Sequence, residues 1–412
     1  MDTSLLYSLR NELEDELKEN ILPFWMMYAP DRKHGGFAGH ISHMNRADER
    51  ANKGMVLHAR VLWTFSAVYR KYRQDEYLEM ATRAWEYIRE HFADREFGGV
   101  FWELDYTGNP VSTRKQVYAV AFMIYALAEY WLACGQEEAL AWAVQLFRDT
   151  ERHALDRERN GYTEALSRQW EPVADVRLSE KDANEPKTMN THLHILEAYT
   201  GLFRVWKDPQ LEQSLENITG LFLEKFIDHK TWHLRLFFDD DWKLKSDFIS
   251  FGHDIECSWL LYEAAEVLGK TEILDKAGEA AVEMARVNFG GLDLDGGLIY
   301  EMFPRENWTD TDKHWWPQAE ALVGYFNAYQ ISGDEEFLRK TLMVWEFIQE
   351  KIIDRSHGEW VWGVNRDGIP DTGKEKGGFW KCPYHNSRAC LEIMRRIDET
   401  VRSDDETNRP SI

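Results

Sequence analysis

Apolar residues recur every three or four positions along most of this chain. In residues 54–73, for example, Leu57, Val61, Phe65 and Val68 fall on one face of a helix. The same spacing predicts twelve helices, over residues 5–25, 54–73, 76–92, 115–135, 137–154, 188–206, 210–227, 252–269, 272–288, 316–333, 335–353 and 383–400.

A turn signature separates successive pairs of these helices. Its first copy runs from Asp31 to Phe37, and later copies begin at residues 94, 156, 228, 292 and 354, so the steps are 63, 62, 72, 64 and 62 residues. Asp, Asn and Gly supply the turn, and a short β-prone run follows. The fifth copy starts at Leu292, and we expect it to have lost the leading Asp.

Six copies of one helix-pair unit predict an all-α fold, an (α/α)6 barrel of twelve helices with short β-hairpin connections. Repeated units bury their apolar faces against their neighbours. A linear helical solenoid is the alternative arrangement, but a solenoid normally ends in polar caps. The last predicted helix begins with unusual residues instead, which favours a closed ring with inner and outer helices.

The composition fits one large folded unit. The chain has 412 residues, 44% of them hydrophobic, and no low-complexity linker interrupts it. We therefore expect a single catalytic domain over residues 1–412, with a disordered polar tail after about residue 402.

Net charge and cysteine content limit the possible binding partners and the cellular compartment of the protein. A net charge of −23 argues against nucleic acid, whose phosphates need a basic surface. We expect no apolar stretch long enough for a bilayer, and the first residues do not resemble a secretion signal. The four cysteines lack C-x-x-C spacing, which favours free thiols. We expect a monomeric, cytoplasmic protein with no membrane partner.

Unusual polar and aromatic residues collect near the starts of alternate helices. Arg60 and Tyr118 lie in the first two of these, and longer clusters open the others, at residues 189–194, 250–256, 314–320 and 379–386. In a barrel these helix ends meet at one mouth. The 18 tryptophans add to this picture, because sugar rings stack on indole faces, although most are expected in the core.

Three histidines, His194, His253 and His385, occupy corresponding ends of these helices. His253 and Glu256 lie one helical turn apart on one face. This pair can hold a metal, or the carboxylate can orient the imidazole and raise its basicity. Arg60 is either a buried ion-pair partner or a ligand for negative charge.

The clusters at residues 189–194, 250–256, 314–320, 379–381 and 383–386 resemble the N-acylglucosamine 2-epimerase family, and more closely its cellobiose-epimerising branch. The resemblance covers nearly the whole chain. It implies an (α/α)6 barrel that inverts C2 of the reducing-end glucose of β-1,4-linked disaccharides, cellobiose and lactose among them. The sugar ring opens, a base removes the C2 proton to give a cis-enediolate, and a proton returns on the opposite face.

The resemblance also implies roles for individual residues. His253 and His385 are the two acid/bases, His194 assists ring opening, and Glu256 holds His253. Arg60 stabilises the enediolate. Sugar hydroxyls and rings are bound by Tyr118, Asp182, Asn190, Trp316 and Trp380. The disaccharide is the partner, and no cofactor and no metal are implied.

Several other activities remain open at this point. Monosaccharide or N-acylglucosamine 2-epimerases and aldose–ketose isomerases share the enediolate on the same barrel. A glycoside hydrolase needs two carboxylates, for which Glu256, Glu320 and Asp182 are candidates. A non-catalytic sugar-binding protein is the last alternative.

Overall fold

The computed structural model describes residues 3–407, and their side chains through residue 402. Its α-helices are α1 (Thr3–Asp15), α2 (Leu22–Tyr28), α3 (Met55–Tyr72), α4 (Asp75–Tyr87), α5 (Val117–Cys134), α6 (Glu137–His153), α7 (Met189–Val205), α8 (Pro209–Leu221), α9 (Phe251–Leu268), α10 (Thr271–Asn288), α11 (Trp315–Ser332), α12 (Glu335–Phe347) and α13 (Tyr384–Thr407).

The strands are all two or three residues long. They are β1 (Lys53–Gly54), β2 (Glu103–Leu104), β3 (Pro110–Ser112), β4 (Lys115–Gln116), β5 (Ala165–Leu166), β6 (Lys187–Thr188), β7 (Phe237–Phe238), β8 (Ile249–Ser250), β9 (Glu301–Phe303), β10 (Trp308–Asp310), β11 (Lys313–His314) and β12 (Gly363–Val364).

The helices form twelve rods within the described residues, as predicted. A π-helical segment, Glu16–Ile21, joins α1 and α2 into one rod without a break. Similar π-helical segments extend α4, α8 and α12 at their carboxyl ends. The last helix continues to Thr407, beyond the point where we expect order to end, and residues 408–412 lie outside the described part of the chain.

The alternate helices form a closed inner ring. α3 packs on α5, and the contacts continue through α7, α9, α11 and α13, which returns to α3. The remaining rods pack outside this ring, each against the inner helix of its own pair or of a neighbouring one. The ring confirms the predicted (α/α)6 barrel and excludes the linear solenoid.

Short antiparallel pairings connect neighbouring repeats around one rim of the barrel. The strand before each inner helix pairs with the strand that follows the next turn signature: β1 with β2, β4 with β5, β6 with β7, β8 with β9 and β11 with β12. A sixth bridge, Ile41 to Gly377, pairs the first repeat with the last. The rim is therefore closed in the same way as the helical ring.

A buried ion pair holds most of the turn signatures. The leading Asp accepts backbone N–H bonds inside its own turn and also binds a lysine from the strand before the inner helix. Lys53 Nζ lies 2.8 Å from Asp31, and Lys115 Nζ lies 2.8 Å from Asp94. The fourth repeat differs, because Ile249 stands at the lysine position and Asp228 binds Arg235 at 3.3 Å.

The expected loss of Asp from the fifth signature is wrong. Its bridge joins Leu292 to Leu298, one residue closer than in the other copies, so the turn is one residue shorter. Asp293 takes the equivalent place and binds Lys313 at 2.9 Å. The fifth signature is therefore offset by one residue, and aligning it with the other copies concealed that Asp293 is its leading Asp.

Residues in the first helical turn of four inner helices also hold the turn signatures in place. His58, His192, Asp254 and Gln318 stand at matching positions, and each accepts the backbone N–H of the last residue of a signature. His192, although it belongs to the 189–194 cluster, is therefore part of the scaffold, with its other ring nitrogen at 2.6 Å from the Thr188 carbonyl.

One helix corrects the expectation that no apolar stretch is long enough for a membrane. Among the described residues, α5 meets the length and composition for a span, with a mean hydropathy of 1.6. It is an inner helix packed between α3 and α7, and most of it is buried, which accounts for its composition. The four cysteines are free, as predicted.

We expect Asp94→Asn to destabilise the protein more than Asp228→Asn. Asp94 is buried between Lys115 and Arg168, and removing its charge leaves a buried lysine without a partner, at a cost of about 3–5 kcal/mol. Among the described residues, the ion-pair partner of Asp228 is the more exposed Arg235. Urea unfolding of both variants measures the difference, and equal losses would contradict this role of the lysine.

Candidate active site

Side chains from the first turns of the inner helices meet at the mouth of the barrel. Tyr118 accepts a hydrogen bond of 2.8 Å from Arg60, and its ring lies 4.8 Å from the ring of His194. Across the mouth, the Trp316 ring lies 4.8 Å from His253 and 5.8 Å from His385. The structure therefore brings together all three histidines of the predicted site with their aromatic neighbours.

His253 is held by the residue that precedes its helix. Ser250 Oγ lies 2.7 Å from Nδ1 of His253, and the ring packs on Trp316. The expected contact between Glu256 and His253 is wrong, because Glu256 lies one turn deeper and accepts a 2.9 Å bond from Arg388. Spacing of three residues places two side chains on one face but does not decide which neighbour each one contacts.

His385 is oriented by the carboxylate of Glu320, which the sequence motifs did not assign to it. Nδ1 of His385 lies 2.6 Å from Glu320 and 4.0 Å from Glu256. Arg388 and His385 lower the pKa of Glu320 to about 2, so this carboxylate is ionised and only accepts. Nδ1 of His385 therefore carries the proton, and Nε2 presents its lone pair.

His194 has the same kind of partner. Its Nδ1 lies 2.9 Å from Glu197, one turn along the helix. This His-x-x-Glu pair repeats the spacing of His253 and Glu256. The spacing is the feature of the sequence that could have predicted the contact between Glu197 and His194. Here the two side chains do contact each other, because both face the axis of the barrel.

Arg388 lies at the centre of the cluster, and motif reasoning missed it. It is 1% exposed and donates to carboxylates from three inner helices: Glu197, Glu256 and Glu320. Tyr384 also binds Glu197. One turn separates Arg388 from His385, and that spacing was the only hint of its position.

Burial sets the protonation of the site. It lowers the pKa of both His253 and His385 to about 3, and lowers the pKa of His194 well below its ordinary value, with Arg60 and Arg388 adding to the effect. Burial, with Glu320 close by, raises the pKa of Glu256 well above its ordinary value. The free site therefore holds neutral imidazoles.

The site offers one arrangement of possible metal ligands, and Arg388 occupies it. Ligand atoms of Glu256, Glu320 and His385 lie within 4.8 Å of one another. Nη2 of Arg388 donates to both carboxylates, at 2.9 and 2.6 Å. A cation there would have to displace a guanidinium, so these residues do not favour a metal.

Arg60 is buried beside aromatic rings. It donates to Tyr118 and, at 3.3 Å, to the carbonyl of Trp380, and its guanidinium lies 4.2 Å from the centre of the Phe122 ring. No carboxylate lies within ion-pair distance of it among the described residues. Its Nε has no hydrogen-bond partner there either. These contacts favour a role for Arg60 in binding negative charge over a role in a structural ion pair.

The remaining predicted residues occupy separate parts of the mouth. Trp380 lies 6.0 Å from the Tyr118 ring. Asn190 stands one turn before His194, and its buried Oδ1 has no partner among the described residues. Asp182, held by Ser179 in the loop between β5 and β6, lies farther out, near Tyr300. Burial raises the pKa of Tyr300, and the charges of Glu301 and Asp182 add to the effect.

The family comparison agrees with this geometry. The family model for N-acylglucosamine 2-epimerase matches residues 35–389, which contain every residue of the site described above. The chain belongs to the N-acylglucosamine 2-epimerase family.

Within that family, the chain is similar to cellobiose 2-epimerases. It is 51% identical to the Bacteroides fragilis cellobiose 2-epimerase over 386 residues, which cover 94% of this chain and 98% of the relative. It is 41% identical to that of Ruminococcus albus, with the same two coverages. The solved cellobiose 2-epimerase of Bacillus thermoamylovorans B4167 superposes with a TM-score of 0.91 at 40% identity, covering 95% of this chain and all of that one.

We expect Gly252→Ala to disturb the site through Trp316. A Cβ at residue 252 would lie 2.5 Å from the Trp316 ring, which packs on His253 and His385. A displacement of about 1 Å near reacting groups costs on the order of a hundredfold in rate, so kcat/KM should fall by ten- to a hundredfold. Steady-state kinetics measures this. Gly220→Ala, where a Cβ meets nothing within 4 Å, is the matched control and should keep wild-type kinetics.

Proposed function

We propose that this protein is a carbohydrate epimerase that inverts C2 of the reducing-end glucose of β-1,4-linked disaccharides such as cellobiose and lactose. The observation that carries the proposal is the pair of imidazoles, His253 and His385, which both lie against Trp316 and each have Nδ1 held by a neighbour. Similarity to cellobiose 2-epimerases supports the disaccharide substrate.

The reaction begins with the open-chain sugar, in which the C1 carbonyl acidifies the C2 proton. A neutral imidazole removes that proton through Nε2. Because burial keeps these imidazoles neutral, the base is ready at ordinary pH. His194, held by Glu197 beside Tyr118, moves the proton between O1 and O5 as the ring opens.

Loss of the proton leaves negative charge on O1 and O2 of a cis-enediolate. Arg60 and Tyr118 supply a buried cation and a hydroxyl at that end of the site. In a site closed to water, such donors stabilise developing charge strongly. Among the described residues, Nε of Arg60 also has no hydrogen-bond partner.

The second imidazole returns a proton to the other face of C2. For this step it must carry a proton on Nε2, because Nδ1 of His385 already donates to Glu320. Solvent supplies that proton, and the proton taken by the first imidazole returns to solvent. The negative enediolate raises the proton affinity of both imidazoles while it exists. Glu256 binds Arg388 at 2.9 Å and supports the acid/base pair only through it, which differs from the expected support of His253.

A second sugar unit extends toward the outer part of the mouth. Trp316 and Trp380 offer stacking faces, and Tyr300, 6.3 Å from the Trp316 ring, continues the wall toward Asp182. Asn190 offers an acceptor for a hydroxyl near His194. The number of stacking and hydrogen-bonding groups around the histidines supports a disaccharide over a monosaccharide or an N-acylated sugar.

The carboxylates do not favour hydrolysis. Glu256 and Glu320 are 1% exposed, and both contact Arg388. A hydrolase needs one carboxylic acid at the glycosidic oxygen and a second carboxylate at the anomeric carbon.

An aldose–ketose isomerase remains the nearest alternative, since reprotonation at C1 of the same enediolate gives the ketose. We also expect a monomer acting in the cytoplasm.

Proton NMR with cellobiose in D2O tests the proposal. We expect deuterium at C2 of the reducing sugar, together with glucosyl-mannose, and the same exchange with lactose. Free glucose would indicate a hydrolase, and a ketose as the main product would indicate an isomerase. Exchange with mannose or N-acetylmannosamine but not with cellobiose would contradict the disaccharide assignment.

Substitution of histidines in this assay distinguishes those that act in catalysis from one that supports the fold. His385→Ala and His194→Gln should lower turnover by a hundredfold or more while the sugar still binds. His192→Gln is the matched control, because Gln318 fills the corresponding place in another repeat. It should keep the fold and the turnover, and a loss equal to that of His194→Gln would contradict the assignment of His192 to the scaffold.

The pH profile follows from the lowered pKa of the imidazoles. A base must be unprotonated to act, and a pKa lowered from 6.5 keeps it so below pH 6.5. The acid limb of kcat/KM should therefore lie below pH 6.5. Glu320→Gln removes the carboxylate that raises the pKa of His385, so its limb should move to still lower pH. A limb at or above pH 6.5 in the wild type would contradict neutral imidazoles in the free enzyme.

A further inference from the structure

The sixth repeat carries extra residues between its rim bridge and its inner helix. Lys376 occupies the same place as Lys53 of the first repeat, since each binds the leading Asp and a glycine carbonyl of its turn signature. In the first five repeats the inner helix begins two residues after this place, whereas α13 begins eight residues after Lys376. The six extra residues, 378–383, contain Trp380, and His385 follows in the first turn of α13.

The same repeat differs from the others at the sixth residue of its turn signature. Gly36, Gly99 and Gly161 stand at this place in the first three signatures, each with a positive φ. Glu359 takes the place in the last signature with a φ of 63°, in the left-handed region that favours glycine. It is also completely buried. Since glycine serves the turn elsewhere, the turn does not require this carboxylate, and a buried charge on a strained backbone points to another role.

The two differences contact each other. Glu359 accepts a hydrogen bond of 3.0 Å from Nζ of Lys381, in the extra segment, and one of 2.7 Å from Nδ2 of Asn386, in the first turn of α13. Its second oxygen accepts from Nε1 of Trp25, in α2, at 2.7 Å. All three donors are at most 1% exposed. One carboxylate therefore ties the extra segment and the start of α13 to the wall of the barrel.

Both donors on the mouth side are sequence neighbours of residues in the site. Lys381 directly follows Trp380, whose carbonyl accepts from Arg60 at 3.3 Å. Asn386 directly follows His385. A shift of either donor would move the backbone that carries a stacking ring or an acid/base imidazole. Glu359 thus lies behind the site and is joined to it at two points.

We propose that Glu359 is a positioning residue of the epimerase site, which sets Trp380 through Lys381 and His385 through Asn386. This role rests on the proposed function, because the tasks of Trp380 and His385 come from it. Glu359 is buried and does not touch the sugar. A buried ion pair that serves stability alone can often be replaced by apolar groups with little loss. One that positions a site cannot be replaced without a change in kinetics.

Steady-state kinetics with cellobiose on two variants tests the proposal. Glu359→Gln leaves a buried ammonium without its carboxylate and so also lowers stability, whereas the double variant Glu359→Gln/Lys381→Met has no unpaired charge and should regain the wild-type urea midpoint. We expect both variants to raise KM by about three- to tenfold, the size of one aromatic contact. Both should also lower kcat by about tenfold or more, because the imidazole is displaced. KM does not depend on the folded fraction, so a raised KM is not an effect of stability.

Glu16→Gln is the matched control. Glu16 is a second buried carboxylate beside the same strand, and its hydrogen bonds come from Trp360 and Asn20 instead of the extra segment. It should keep the wild-type KM and kcat. A double variant with wild-type KM and kcat would overturn the proposal, since the ion pair would then be structural alone. A KM raised as much by Glu16→Gln as by Glu359→Gln would overturn it too. Wild-type turnover of cellobiose, measured first, tests the proposed function separately, so these outcomes decide only the role of Glu359.

Discussion

Arg388 connects the charges on which the centre of the barrel depends. It lies on the axis and binds Glu197, Glu256 and Glu320, which come from three different inner helices. Buried carboxylates are costly unless a partner neutralises them, and here one guanidinium serves all three. The inner ring can therefore close around a polar centre, and the same carboxylates are placed to contact the catalytic imidazoles.

This arrangement joins stability to chemistry. Glu320 holds Nδ1 of His385 and Glu197 holds Nδ1 of His194, so their tautomers are set by groups that Arg388 positions. Burial keeps the imidazoles neutral. A catalyst of proton transfer at carbon needs neutral imidazoles, because a protonated base cannot remove the C2 proton.

Repetition explains how much of the fold could be predicted. Each repeat has a helix pair, a turn signature and a short pairing strand, so six similar signals supported one another. The fifth signature shows the limit, since its turn is one residue shorter and Asp293, not the residue aligned with Asp31, binds the lysine. In the site, Glu256 was found from its spacing but assigned the wrong neighbour, and Arg388 carried no motif of its own.

The sequence by itself determined the period, the twelve helices and the residue types gathered at the mouth, because helical spacing and turn chemistry are local. Only the tertiary structure decided which side chains meet. Ser250 rather than Glu256 holds His253, Glu320 rather than a residue nearby in sequence holds His385, and His192 belongs to the scaffold while His194 faces the site. Those choices depend on the direction of each side chain across the closed ring, which no spacing along one helix specifies.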